Sequence, residues 1–165
     1  MIKRTVESAL NNQMNKEFYS YYLYLSMAAH FDSNNLKGFG HWLKAHGKEE
    51  AGHAMKLYEY LMSRGGKVLL QRIDAPPSTW KTHKDVFEDA YRHEQKVTGL
   101  IMKLVDLAKS EKDHSTEIFL QWFVTEQVEE EATANEILQK LQLVGSEGSA
   151  LLVLDSELGK RSSSS

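Results

Sequence analysis

Glu50 and His53 stand three residues apart in the stretch KEEAGHAMKLYEY, residues 48–60, on the helical stripe that also carries Trp42, Leu43, Leu57 and Leu61. Burying an unpaired carboxylate there costs several kcal/mol, roughly, so something must compensate it. The same interruption recurs. A stripe through Val6, Leu10, Met14, Tyr21, Leu25 and Ala28 has its gap filled by Glu17. Another, through Phe87, Tyr91, Val97, Ile101 and Leu104, is broken by Glu94. A third, through Phe119, Phe123, Ala134, Ile137 and Leu141, is broken by Gln127 and Glu130.

One inward acid has a plain explanation in a Glu–Lys or Glu–Tyr pair. Acids at matching depth on every long helix are different, because carboxylates that close cannot all ionise without a countercharge. A divalent cation supplies it, and oxygen ligands with one imidazole suit iron.

The elements that must position these residues read as all-α. Helices are expected at about 5–32, 36–63, 82–109 and 113–143, with a short one at about 148–160. DSNN at 32–35, SRGG at 63–66 and KSEKDHS at 109–115 are turn and cap material. The first and third joints are short, so each joins antiparallel neighbours. The middle joint, RGGKVLLQRIDAPPSTW at 64–80, holds both prolines of the chain. Extended at about 3.3 Å per residue it spans roughly 55 Å, longer than a helix of about 27 residues. It can therefore cross the bundle and set the third helix parallel to the second.

The chain of 165 residues, 41% hydrophobic and 26% charged, suffices for one domain with a real core. A formal charge of −3 gives no electrostatic footprint for nucleic acid. No signal peptide and no apolar run of membrane-spanning length is read, and the lack of cysteine rules out disulfides and Cys-ligated clusters. A cytoplasmic location is the expectation. The tail GKRSSSS reads as disordered from about residue 160.

Glu17, the EEAGH that holds Glu50 and His53, Glu94 in YRHEQ, and TEQVEEEA with Gln127 and Glu130 together resemble the non-haem bacterial and archaeal ferritins. NKEFYSYYLYLSMA and FLQWFVTEQVEEEA strengthen the likeness, which covers roughly residues 3–160. It implies a ferritin-like four-helix bundle with a long crossover between helices two and three and a short fifth C-terminal helix. It also implies a dinuclear ferroxidase centre, with Glu17, Glu50 and His53 on the first iron and Glu50, Glu94 and Glu130 on the second. Glu50 would bridge, and Gln127 would hydrogen-bond near the oxygen species. Only helix two carries Glu-x-x-His, so the second site is expected to be weaker and more exchangeable.

Tyr24, seven residues after Glu17, is either a core tyrosine or, as the resemblance implies, a partner of Glu94 and an electron donor. Trp122 reads as core packing. Glu49, Glu126 and Glu129 read from composition as a solvated face, whereas the resemblance implies a third iron site that shares Glu130. Among the histidines only His53 is assigned a role. His46 falls near the site without one, His93 faces elsewhere, and His30, His41, His83 and His114 read as surface residues. Haem is not expected, because Gly52 precedes His53 and helix four lacks the second histidine of haem-binding relatives.

The resulting expectation is an iron-storage ferroxidase that uses dioxygen or peroxide, and the resemblance implies a shell of twenty-four copies with ALLVLDSEL (150–158) at the fourfold axis. A DNA-protecting mini-ferritin would place its iron between subunits and lack the last helix. A rubrerythrin-like peroxide reductase would bring a Cys-rich domain. A structural bundle or pure storage shell would not need the complete ligand set.

Overall fold

The structure is a computed structural model that describes residues 1–145 and 147–162. Among these the chain forms α1 (Arg4–Ser33), α2 (Lys37–Ser63), α3 (His83–Ser110), α4 (His114–Val144) and α5 (Gly148–Leu158), with no strand. Every expected helix is present, with ends within about two residues. Thr82 and Asp85 form a capping box that starts α3, and Asp113 accepts from Thr116 N–H to start α4.

Contacts at the helix ends fix the topology. At one end of the bundle Lys3 pairs with Glu111 (3.1 Å) and Arg64 with Asp113 (3.1 Å). At the other end Phe31, near the close of α1, lies against His83 and Phe87 at the start of α3. Hence α1 opposes both α2 and α3, and α2 runs parallel to α3. The connection that makes this possible lies along α1. Asn11 donates to Lys67 C=O (2.9 Å) and accepts from Leu69 N–H (2.7 Å), and further up Ser26 Oγ donates to Pro77 C=O (2.5 Å). This is the crossover bundle expected from the length of the joint.

The apolar core comes in two parts. One gathers Tyr24, Met27, Phe31, Phe39, Trp42, Phe87 and Ile137; the other gathers Leu10, Met14, Leu57, Leu61, Ile101 and Phe123. Between them in sequence, on every long helix, stand buried polar residues: Glu17, His46, Glu50, His53, Glu94, Gln127 and Glu130. Tyr21 and Leu25, expected on the inner stripe, are only partly buried, and Tyr24, Met27 and Phe31 take the inner places. At about 100° per residue, two successive steps of four from Glu17 to Leu25 rotate about 80° off the face. A step of seven to Tyr24 stays within about 20°.

α5 packs on α2 through Leu154 and Leu158, and Phe39 N–H donates to Asp155 Oδ1 (2.9 Å). The approach is close at Gly38, where a Cβ would stand 1.7 Å from the Asp155 carbonyl oxygen. Gly38→Ala is therefore expected to displace α5 and lower stability by about 1–3 kcal/mol, as overpacking does. Thermal unfolding and protease cleavage near residue 147 measure this; an unchanged melting temperature and cleavage pattern would contradict the tight seat.

Arg161 departs from the disordered tail expected there. Its guanidinium stacks over Trp42 (4.6 Å) and bonds Glu49 Oε2 (2.5 Å), and His41 Nε2 lies 2.7 Å from its carbonyl oxygen. The remainder of that tail, 163–165, lies outside the described residues.

Candidate metal centre

Each long helix delivers one part of the polar layer. α1 supplies Glu17, α2 supplies His46, Glu50 and His53, α3 supplies Glu94, and α4 supplies Gln127 and Glu130; none is more than 6% exposed. Their donor atoms gather into overlapping groups within 4.8 Å. One holds Glu17, Glu50 and His53, and another holds His46, Glu50, Glu94 and Glu130. Glu50 belongs to both. Its Oε2 lies 3.3 Å from His53 Nδ1, whereas Oε1 is buried without a hydrogen-bond partner, as is Glu17 Oε2.

Neighbours orient these groups. Gln13 Nε2 donates to Glu17 Oε1 (2.7 Å). Glu94 is held from both oxygens, by the Tyr24 hydroxyl at Oε1 and by Gln127 Nε2 at Oε2 (3.2 Å). Gln127 also donates to the Glu94 carbonyl (3.2 Å), which ties α4 to α3 at this level.

The electrostatics are those of an acid cluster short of positive charge. Burial pushes Glu17 and Glu130 up to about 7. Burial, with the charges of Glu94, Glu17 and Glu130, drives Glu50 well above the usual carboxylate range. Burial acts on Glu94 in the same direction, but His46 and the Tyr24 hydroxyl outweigh it and hold Glu94 at about 2. His46 is the reverse case: burial disfavours its charge, yet Glu130, Glu49 and Glu94 raise it to about 10. His53 is lowered to about 4, by burial first and then by the charge of His46.

The sequence matches the ferritin-like domain family over residues 7–144. A bacterial non-heme ferritin of Bacteroides fragilis is 43% identical over 161 residues, covering 98% of this chain and all of that one. The chain belongs to the ferritin family. A bacterial non-heme ferritin of Campylobacter jejuni is 44% identical and covers 94% of this chain and 93% of its own. An engineered closed form of the Archaeoglobus fulgidus ferritin superposes with a TM-score of 0.98 at 49% identity, covering 99% of this chain and all of that one.

The flank acids of this ferritin chain do not behave alike. Glu126 Oε1 reaches to 3.8 Å from His53 Nε2, and donors of His53, Glu126 and Glu130 form a third group within 4.8 Å. Glu129 is exposed, and its charge helps to raise the pKa of Glu126 after burial. Glu49 instead faces His46 Nδ1 (3.4 Å) and Arg161, which outweigh its burial and hold it at about 2.

Trp122 is not core packing. It is 38% exposed, carries Lys56 Nζ over its face (4.0 Å) and meets the His53 ring edge-on (5.2 Å). His93 points away from the acids, toward Ser20 Oγ (2.7 Å). His30, His41 and His83 are half-buried rather than on the surface, and His30 and His83 meet at 3.1 Å. The main residue that sequence reasoning left out is His46, which is 2% exposed with its ring among the acids. Its signal was available, since it precedes Glu50 by one helical turn on the same face. Arg161 had none, standing beside Lys160 in a Ser-rich tail.

Proposed function

We propose that this ferritin is an iron-storage protein that oxidises iron(II) at an intrasubunit dinuclear centre and passes iron(III) into a mineral. The observation that carries this reading is that Glu50 stands in two adjacent donor groups at once, the arrangement of a carboxylate shared by a pair of ions. Glu17, Glu50 and His53 hold the first iron(II), and Glu50, Glu94 and Glu130 hold the second. Each iron(II) gives up one electron. Dioxygen takes both with two protons and leaves as hydrogen peroxide; peroxide as oxidant takes two electrons and two protons and leaves as water. Tyr24 and Gln127 keep Glu94 oriented throughout by hydrogen bonds to its two carboxylate oxygens.

Assembly into a hollow shell of twenty-four subunits belongs to the same proposal. The exposed Leu152 and Val153 on α5 and Leu69 and Leu70 on the crossover support it, as does the superposition on the archaeal ferritin. So does a cytoplasmic location for a cysteine-free chain. Among the described residues no helix is long and apolar enough to cross a membrane. Anaerobic iron(II) titration followed by air tests the reaction: two iron(II) per subunit should oxidise in a fast phase, and native mass spectrometry of the same sample reports the shell. A fast phase of one iron, or none, would refute the dinuclear reading.

A third iron is proposed at the flank, held by Glu126 with the shared Glu130 and assisted by Glu129 and Glu49. The repulsion that Glu129 and Glu49 impose on Glu126 supports a cation there. Replacing Glu126 and Glu129 together by alanine is expected to leave binding and oxidation of the first pair intact. The ratio of iron oxidised to oxygen consumed, and the rate at which the centre regenerates, should change. An oxygen electrode at fixed iron per subunit measures both, and identical values in wild type and variant would return these acids to a solvated helix face.

A further inference from the structure

We infer that His46 is a direct ligand of the second metal position, so that each ion of the pair has its own imidazole. This rests on the dinuclear reading and goes beyond it, since neither the sequence pattern nor the resemblance assigns His46 a role.

The distances carry the inference. His46 Nε2 stands 3.2 Å from Glu130 Oε2, 3.5 Å from Glu94 Oε1 and 3.8 Å from Glu50 Oε1. Charge-assisted hydrogen bonds between such groups run at about 2.7–2.9 Å, so all three separations are too long for a good one. Donors that share one tetrahedral ion with bonds of ~2.1 Å lie about 3.4 Å apart, the middle of the observed range. One of the three acceptors, Glu50 Oε1, has no hydrogen-bond partner although it is fully enclosed.

The ring is held as a ligand is held. Trp42 stacks on one face (centroids 4.9 Å apart, 21° between planes), and Tyr24 meets it edge-on (4.5 Å). Behind it, Nδ1 is buried without a hydrogen-bond partner and faces Glu49 Oε2 at 3.4 Å, a carboxylate that Arg161 fixes. The negative charge of Glu49, held in place by Arg161, thus lies at the back of the ring, on the side away from the three carboxylates. Along α2 the bridging Glu50 then has an imidazole one turn on each side, His46 before it and His53 after it, on a single face. The second position is accordingly no weaker in nitrogen ligation than the first, which removes the asymmetry expected from the lone Glu-x-x-His.

Cobalt(II) loaded anaerobically into metal-stripped wild type and His46→Gln tests this without turnover. Calorimetry counts ions and affinities, and X-ray absorption counts imidazoles per metal. The wild type is expected to bind two ions with one imidazole each. H46Q should keep the tighter ion, lose at least about 10-fold in affinity for the other, and show one imidazole per two metals. Two ions in the wild type with only one imidazole between them would overturn the role of His46 and leave the dinuclear centre standing, as would unchanged second-site affinity in H46Q. Fewer than two ions in the wild type would overturn the dinuclear reading and this inference with it. Should H46Q fail to assemble, the wild-type imidazole count decides alone.

Discussion

Glu50→Gln is expected to abolish rapid iron(II) oxidation while making the metal-free protein more stable. Glutamine keeps the shape of the side chain and the apolar cores on either side, so the bundle has no reason to rearrange. It removes the negative charge that has to bridge the pair, and the initial oxidation rate should fall by more than about 100-fold, beyond the loss typical of groups that merely orient ligands. The stability change has the opposite sign. Glu50 is buried among Glu94, Glu17 and Glu130, which together with burial drive its pKa well up, and its Oε1 has no hydrogen-bond partner. A neutral amide ends that repulsion and offers N–H donors to the same carboxylates. The gain should be about 1–3 kcal/mol, the range set by an unsatisfied buried polar group. Stopped-flow absorbance and thermal unfolding of the same preparation measure both. Oxidation near the wild-type rate would mean that Glu50 does not bridge, and a lower melting temperature would mean that it is paired in some other way.

Zinc, a redox-inert substitute, is expected to raise the melting temperature of metal-stripped protein, and the gap should widen as pH rises from 6 to 8. Glu17 and Glu130 sit at about 7 against an ordinary 4.5. The folded state therefore keeps protons that the unfolded chain has lost, and stability falls as pH rises through that window. His46, at about 10 against 6.5, contributes stability that is complete below 6.5 and drains away as pH climbs toward 10. His53, lowered to about 4, works the other way between 4 and 6.5 and offsets part of the loss from the acids there. Above pH 6.5 the losses are no longer opposed by His53. Zinc needs its ligands deprotonated, so its binding strengthens over the same interval. Two sites each saturated at 100 times Kd contribute about 5 kcal/mol, or roughly 10 °C. A gap that is absent, or that narrows toward pH 8, would mean that the acids are not a preformed cage for a cation.

The architecture was legible because long helices with short turns leave a strong periodic record, and because the joint containing Pro76 and Pro77 is long enough, when extended, to cross the bundle. The acids were legible for the same reason: Glu17, Glu94 and Glu130 each interrupt an apolar stripe, and an interruption is visible where a match is not. What escaped was of two kinds. The second half of the α1 stripe slipped because steps of four drift off a face whose true repeat is nearer seven residues for two turns, so Tyr21 and Leu25 were placed where Tyr24, Met27 and Phe31 stand. His46 and Arg161 escaped because their meaning depends on what other elements bring to them. A histidine one turn before a buried acid is common, and only the meeting of α2, α3 and α4 surrounds this one with Glu50, Glu94 and Glu130. Arg161 acquires a partner only because α5 folds back along α2 and carries it to Glu49.

Anomalous diffraction at the iron edge, from crystals soaked in iron(II) without oxygen, tests the pair most directly. Two peaks are expected inside each subunit, in the polar layer between the two apolar cores, with Glu50 touching both. One peak should lie beside Glu17 and His53, and the other among Glu94, Glu130 and His46. Iron found only on the outer surface, or as a single ion out of reach of Glu50, would contradict the account.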